Sequence, residues 1–169
     1  QRLVQAAHEK GDLRMELILE TICATGIRVG EVRYITVEAA RRGRADIALK
    51  GKLRTILLPA RLCRRLLKFA GKNKIAFGAI FLTKSGRPLS RTQIWAEMKR
   101  LCAKAGVAAE KVFPHNLRHL FARTFYESCR DVVKLADILG HSSVETTRLY
   151  LLTTGAEHLR QLERLRLLC

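Results

Sequence analysis

The chain has 169 residues, 48% of them hydrophobic and 28% charged, which suffices for one domain with a substantial core and is short for two. Its 32 basic and 15 acidic residues give a net charge of +17, so a polyanion is the natural partner, although a merely soluble basic surface is the simpler alternative. No apolar run approaches the ~20 residues of a membrane helix and no signal peptide opens the sequence, which argues against a membrane or secreted protein.

The cysteines indicate a reducing compartment. They are odd in number, widely spread and without a CxxC pair (Cys23, Cys63, Cys102, Cys129 and Cys169). This pattern gives neither a zinc knuckle nor a disulfide framework, so we expect a cytoplasmic protein.

The first part of the sequence predicts helices around one β-hairpin. Residues 1–10 form a helix, and a second helix begins after the N-cap Asp12 and ends before Gly26. A short helix follows from Arg28 in "RVGEVRYI". The stretches "ADIAL" and "LRTILL" are typical of two strands joined across "KGK", and Pro59 opens a basic helix.

A third short strand and a long helix are predicted next. "AIFLT" at 79–83 has the composition of a strand. Ser90 and Gln93 form a capping box for a helix that reaches about Ala105. The apolar face of this helix comprises Ile94, Trp95, Met98, Leu101 and Cys102.

The C-terminal part is predicted to be helical. "PHNLRHLFARTFYES" forms one helix, and Gly140 ends the next, "DVVKLADIL". Ser142 and Glu145 form a capping box for the helix that leads to Tyr150, and residues 156–169 form a last amphipathic helix. The fold class is therefore mainly α with a small antiparallel β-sheet, an α+β domain.

Several polar residues stand where helices begin or end. His115 and Arg118 are three residues apart, about one helical turn, and so project from one face of their helix. Arg28 lies on a turn between helices, and His141 follows the glycine that ends another helix. Singly, each has an ordinary explanation as a capping or surface residue, and an isolated Tyr150 would be a half-buried aromatic.

Metal chemistry has little support in the sequence. His115 and His119 have the spacing of zinc ligands on a helix, but a zinc protease would have glutamate at position 116, where this chain has Asn116. No carboxylate cluster suited to magnesium is present either. We therefore predict no metal and no other cofactor.

Taken together, the order Arg, Lys, His-x-x-Arg, His, Tyr resembles the tyrosine recombinase (phage integrase) family. The matching stretches, from about residue 12 to 155, are "ATGIRVGEV", "LKGKLRTILLP", "FPHNLRHLFA", "LGHSS" and "TTRLY". The 23 residues from Arg118 to His141 and the nine from there to Tyr150 also fit the family pattern. The resemblance implies the catalytic-domain fold of that family and makes Tyr150 the nucleophile.

The resemblance assigns a role to each matching residue. Arg28 and Arg118 would hold the scissile phosphate, because guanidinium groups are always charged and fork onto phosphate oxygens. His115 and His141 would add hydrogen bonds to the same phosphate, and His115 would help with the proton of the nucleophile. Glu31 matches an acidic residue of the family and would support the site structurally.

The hairpin tip would supply the general acid for the departing 5′ oxygen. The family uses a lysine there, and we prefer Lys50, which precedes what we predict to be a two-residue turn. Lys52 remains open as the alternative, because the compact "KGKLR" is shorter than the glycine-lysine turn of many relatives.

The resemblance also implies partners. Residues 1–169 would be the catalytic domain of a longer protein, without its N-terminal core-binding domain, and would bind double-stranded DNA weakly. Four protomers would assemble around two duplexes. The apolar stripe of the helix at 156–169 would pack on its own domain or, as the resemblance implies, dock into a neighbouring protomer. The isolated fragment would be a monomer or would oligomerise through that helix. A bacterial or mobile-element origin follows, with the protein associated with the nucleoid.

The predicted function is a site-specific DNA recombinase or integrase that cleaves and rejoins strands without a metal, through a 3′-phosphotyrosine intermediate. Integration, excision, dimer resolution and topoisomerase-like relaxation all use this chemistry. The alternative is a non-catalytic DNA-binding module of the same fold, which would have no need of Tyr150. A metal nuclease is the remotest alternative.

Overall fold

The chain divides into two units, residues 1–121 and 122–169. The computed structural model describes residues 2–49, 52–141 and 143–151; of residues 49, 52, 53 and 111 it describes the backbone alone. The predicted C-terminal helix at 156–169 lies outside the described residues. None of the helices within the described ranges is long and apolar enough to cross a membrane.

Helix α1 (Arg2–Glu9) packs on α2 (Leu13–Thr25), the central helix of the first unit. Asp12 accepts a hydrogen bond from a backbone N–H of the first turn of α2, and Gly26 ends the helix in the left-handed conformation with a φ of 63°. Both signals confirm the predicted helix. Several helices of the unit pack against α2, whose buried residues include Met15, Leu17, Ile18, Leu19 and Ile22.

Two short helices connect α2 to the sheet. The predicted helix after Arg28 is a 3₁₀ helix (Val29–Tyr34). A further helix, α3 (Val37–Arg42), was not predicted; Thr36 caps its start and Gly43 ends it with a φ of 71°. With only six residues, α3 is too short for its apolar periodicity to stand out in the sequence.

The predicted hairpin is confirmed as strands β1 (Arg44–Leu49) and β2 (Lys52–Leu57), paired antiparallel. Ala45, Ile47 and Ile56 face the core, while Asp46, Ala48, Thr55 and Leu57 are exposed. The last pair of the register is Leu49 with Lys52; the residues between them, with the predicted turn and Lys50, lie outside the described residues.

The predicted third strand at 79–83 is wrong for the described part of the chain. The sheet has two strands, and this segment makes only isolated bridges, of Ala79 with Thr36 and of Leu82 with Pro88. Packing explains its apolar composition instead, because Ile80 and Phe81 are buried in the core.

Helices α4 (Ala60–Lys72) and α5 (Arg91–Lys104) also pack against α2. Pro59 stands at the N-cap of α4, one residue before its first turn. Ser90 and Gln93 form the predicted capping box of α5 through two reciprocal hydrogen bonds of 3.2 and 2.9 Å.

The second unit begins within α6 (Pro114–Cys129) and contains α7 (Val132–Leu139) and α8 (Val144–Arg148), which pack on each other. Gly140 ends α7 as predicted, with a φ of 62°. The cap of α8 is Ser143, which accepts a hydrogen bond from a backbone N–H; the predicted cap, Ser142, lies outside the described residues. The architecture confirms the predicted class, mainly helical with a small antiparallel sheet.

Candidate active site

Arg28 is placed by the glycine that ends α2. The left-handed Gly26 turns the chain, Ile27 is buried as an anchor, and Arg28 follows in an extended conformation at the start of the 3₁₀ helix. The backbone N–H of Arg28 donates to Glu31 Oε2 at 2.8 Å and its Nη1 donates to Glu31 Oε1 at 3.0 Å. One carboxylate therefore fixes both the backbone and the guanidinium of Arg28, whose side chain is 48% exposed.

Glu31 lies between two arginines. Its side chain is 4% exposed, and besides Arg28 it binds Arg54, whose Nη1 donates to both carboxylate oxygens at 3.0 and 2.9 Å. Burial lowers the pKa of Arg54, while the neighbouring Glu31 carboxylate opposes this effect. The three charges sum to +1, so the cluster keeps a positive charge.

Arg118 is one of the most deeply buried side chains of the described residues, with 1% exposure. It is on α6, and its Nη1 donates a hydrogen bond to the carbonyl oxygen of Gly26, two residues before Arg28. A buried guanidinium is costly unless it is hydrogen-bonded, so its orientation is fixed by this environment. Arg118 and Arg28 line the same cleft of the first unit, whose volume is about 1240 Å³.

His115 lines this cleft one turn before Arg118. Burial lowers its pKa below the ordinary value of 6.5, and the positive charges of Arg118 and Arg28 lower it further. The lowered pKa favours the neutral form of the His115 imidazole. Its ring meets the ring of His119 edge to face, with centroids 4.7 Å apart. Within the described ranges, no three His, Cys, Asp or Glu side chains are grouped so as to hold a metal ion.

The wall of the cleft contains two exposed aromatic residues. Trp95 is 42% exposed and Phe113 is 43% exposed, and Lys99 Nζ lies 5.6 Å from the ring centroid of Trp95 and 4.5 Å from that of Phe113. The prediction that Trp95 belongs to the apolar face of α5 is thus wrong. The buried positions of α5 are Ile94, Met98, Leu101 and Cys102.

In the second unit, His141 and Tyr150 lie next to each other. Their rings are stacked, with centroids 5.4 Å apart and an interplanar angle of 23°. His141 Nδ1 lies 2.8 Å from the hydroxyl oxygen of Thr147, which is fully buried. Tyr150 is in a 3₁₀ turn (Leu149–Leu151) and is 9% exposed. The second unit thus fixes the orientation of both rings.

The predicted site residues are therefore found in two groups. Arg28, Glu31, His115 and Arg118 line one cleft of the first unit, and His141 with Tyr150 forms a stacked pair in the second. Lys50 lies outside the described residues. Lys52 begins β2, and its backbone alone is described.

Sequence analysis missed Arg54, although a signal was present. In "LRTILL" the alternation that turns Ile56 and Leu58 towards the core also turns Arg54 to that face. An arginine on the buried face of a strand needs an acidic partner, and Glu31 is the acidic residue closest to the predicted catalytic Arg28 in sequence.

Comparison with known proteins extends these observations. The model of the phage integrase family matches residues 1–156. The chain belongs to the phage integrase family. This membership confirms the family predicted from the sequence motifs.

Individual members of the family support the assignment. Over 151 residues the chain is 32% identical to tyrosine recombinase XerH of Campylobacter jejuni, an alignment that covers 86% of this chain and 43% of the relative. The chain thus spans about half the length of the curated relatives it matches.

Solved structures of family members share the fold. The structure of XerA recombinase has a TM-score of 0.79 and 25% identity, and the match covers 99% of this chain and 62% of XerA. The pre-cleavage complex of XerH with its difH substrate has a TM-score of 0.75 and 23% identity, covering 98% of this chain and 50% of XerH. The predicted tyrosine recombinase catalytic-domain fold is confirmed.

Proposed function

We propose that this chain is the catalytic part of a site-specific DNA recombinase, and that it cleaves and rejoins DNA strands through Tyr150. The observation that most supports the proposal is the cleft lined by Arg28, His115 and Arg118, which brings two guanidinium groups and an imidazole together. The family membership and the DNA-bound structure of the similar XerH support double-stranded DNA as the substrate.

The two arginines would bind the scissile phosphate. Phosphoryl transfer concentrates negative charge on the nonbridging oxygens, and fixed guanidinium groups stabilise that charge without any reorganisation during the reaction. Arg118 suits this role because burial and the Gly26 carbonyl fix its position. Arg28 suits it because Glu31 orients a guanidinium that stays half exposed to the cleft.

Cleavage would be a balanced transesterification. The phenolic oxygen of Tyr150 forms a bond to phosphorus and gives up its proton to a base, for which the neutral His115 is the candidate. The bond from phosphorus to the 5′ oxygen breaks, and this oxygen takes a proton from Lys50 or Lys52. The products are a 3′-phosphotyrosine and a free 5′ hydroxyl. The same steps in reverse, with a 5′ hydroxyl of another strand, rejoin the DNA without an external energy source.

His141 would complete the site through the second unit. Its stacking on Tyr150 restrains the nucleophile, and its Nδ1 contact with Thr147 directs the other ring nitrogen away from that partner. That nitrogen would hydrogen-bond the phosphate, as the family resemblance implies. The proposal thus requires the two groups of residues to act on one phosphate.

Covalent trapping tests the proposal. A pool of randomised duplexes with one nick each is incubated with the protein in low salt and EDTA, and protein-bound DNA is recovered under denaturing conditions and amplified over several rounds. Low salt is needed because the contacts of a protein of net charge +17 are mostly to phosphates. The wild type should enrich one sequence as a protease-sensitive adduct, and Tyr150→Phe should form none.

Tyr126→Phe is the matched control, because Tyr126 is a partly exposed tyrosine of α6 that lies outside both groups of predicted site residues. This variant should form adduct at the wild-type rate. Binding of duplexes by the wild type without any Tyr150-dependent adduct would contradict catalysis and favour the non-catalytic DNA-binding module.

A sulfur substitution separates the two candidate lysines. A 5′-bridging sulfur is a good leaving group without protonation, so it should restore cleavage only to the variant that lacks the general acid. We expect Lys50→Met to be slow on the ordinary duplex and close to wild type on the sulfur-containing one. Rescue of Lys52→Met instead would assign the role to Lys52.

The oligomer remains a prediction as well. We expect four protomers on two duplexes, with exchange of the helix predicted at 156–169. Sedimentation measures the number of protomers that bind the selected duplex, for the chain and for a version that ends at residue 155. Equal numbers of protomers in the two complexes would contradict helix exchange.

A further inference from the structure

Arg54 contacts the candidate active site from β2, although the family resemblance assigns it no role. It pairs with Ile47 across the hairpin and lies on the core-facing side of β2, with a side chain that is 12% exposed. Its Nη1 donates to both oxygens of Glu31, and the shorter distance is 2.9 Å. A buried guanidinium on a small sheet is therefore held by the carboxylate that also holds Arg28.

The charges of this trio have a consequence for Arg28. If Glu31 had Arg28 as its sole partner, the carboxylate would cancel the positive charge of Arg28 and could bind it in a bidentate fork. With Arg54 on the same carboxylate, Arg28 makes a single side-chain hydrogen bond to Glu31 Oε1, at 3.0 Å. The rest of its guanidinium faces the cleft, where the side chain is 48% exposed.

We propose that Arg54 is a positioning residue for the phosphate-binding arginine: it neutralises Glu31, so that Glu31 orients Arg28 without cancelling its charge. This inference rests on the proposed function, because it assigns a purpose to the charge of Arg28. Arg54 also joins β2, the strand that Lys52 begins, to the carboxylate beneath Arg28. A purely structural role, the anchoring of the hairpin to the core, is the competing explanation.

The two explanations differ in what happens when Glu31 loses its charge. In Arg54→Met the carboxylate should bind Arg28 fully, and adduct formation should slow by about 10- to 100-fold, the range for loss of one charged transition-state contact. In the double variant Arg54→Met with Glu31→Gln there is no carboxylate to cancel Arg28, and the rate should return to within about fivefold of wild type. An anchoring role predicts no such recovery, since the double variant lacks the same anchor.

Arg44→Met is the matched control. Arg44 is an arginine of the same hairpin whose side chain is 60% exposed and 3.9 Å from Asp46. Its variant should react at the wild-type rate. Rates are measured with the duplex that covalent trapping selects, at saturating DNA and at a temperature well below the thermal midpoint of every variant. A double variant as slow as Arg54→Met would overturn the inference.

A second measurement needs no catalysis. Phenylglyoxal modifies accessible arginines, and mass spectrometry measures its rate at Arg28. Pairing with a carboxylate protects a guanidinium, so Arg28 should be modified several-fold more slowly in Arg54→Met than in the wild type. In the double variant, which has no carboxylate at position 31, it should be modified at least as fast as in the wild type. If no duplex yields an adduct, the proposed function fails, and this labelling still decides the role of Arg54: unchanged modification of Arg28 in Arg54→Met would overturn it.

Discussion

Replacement of Glu31 by alanine should destabilise the first unit far more than an exposed acidic residue does. The Glu31 side chain is 4% exposed and accepts four hydrogen bonds, two from Arg28 and two from Arg54. Without the carboxylate, the guanidinium of Arg54 stays in a site where it is only 12% exposed. Breaking a buried pair by removing one partner costs about 3–5 kcal/mol.

The exposure of the two arginines sets the expected value. Arg28 is 48% exposed and is able to turn towards water, so its part of the loss is small. Arg54 is too buried to turn towards water, so we expect Glu31→Ala to lower the free energy of unfolding by about 3 kcal/mol, at the lower end of the range for buried pairs. Asp46→Ala is the matched control: its ion pair with Arg44 is exposed, and its loss should cost less than about 1 kcal/mol.

Urea unfolding followed by tryptophan fluorescence measures both variants. Trp95 is the single tryptophan of the chain and belongs to the first unit, so its signal reports on the part that contains Glu31. Equal m-values would show that the native state is intact and that the difference in midpoint is a difference in stability. A loss below about 1 kcal/mol for Glu31→Ala, or equal losses for the two variants, would refute the view that Arg54 depends on this carboxylate.

Three further substitutions test other parts of the structure. Burial alone would raise the pKa of Glu16, but hydrogen bonds and charges from Arg65 and His8 lower it below 4.5, so the stability that Glu16 contributes is present above pH 4.5 and is lost as the pH falls through the lowered pKa. Arg65→Met should therefore reduce the free energy of unfolding at pH 7 by about 1.5 kcal/mol and make it depend less on pH in urea titrations from pH 7 to 3. Thr147→Val removes the hydroxyl that contacts His141, whose ring stacks on Tyr150, and adduct formation should slow by roughly fivefold, the factor for a hydrogen bond of about 1 kcal/mol. An unchanged rate would contradict a role of Thr147 in orienting His141. Met98→Ala empties a fully buried position of α5 and should cost about 2–5 kcal/mol in the same urea assay, and a loss under 1 kcal/mol would show that the helix does not pack as described.

The local signals in the sequence were sufficient for most of the helices. Asp12 and Gly26 mark the ends of α2, the pair Ser90 and Gln93 marks the start of α5, and Gly140 ends α7. These predictions held because caps depend on hydrogen bonds within one turn of the chain. The family was also identifiable from the sequence, because the order and spacing of its motif residues are properties of the chain itself.

The remaining features of the fold and of the candidate site depended on tertiary packing. The apolar composition of 79–83 does not distinguish a strand from a segment buried by its neighbours. Nor does the apolar pattern of α5 show that Trp95 lines the cleft while Ile94 and Met98 are buried. The contact between Arg54 and Glu31 joins residues 23 positions apart, and strand alternation indicates only that Arg54 faces the core, without naming its partner. The sequence by itself determined which side chains were available for binding a phosphate. Only the fold decided that Arg28 shares the buried carboxylate of Glu31 with a second arginine, because that contact needs a strand 23 positions further along the chain to pack beside Glu31.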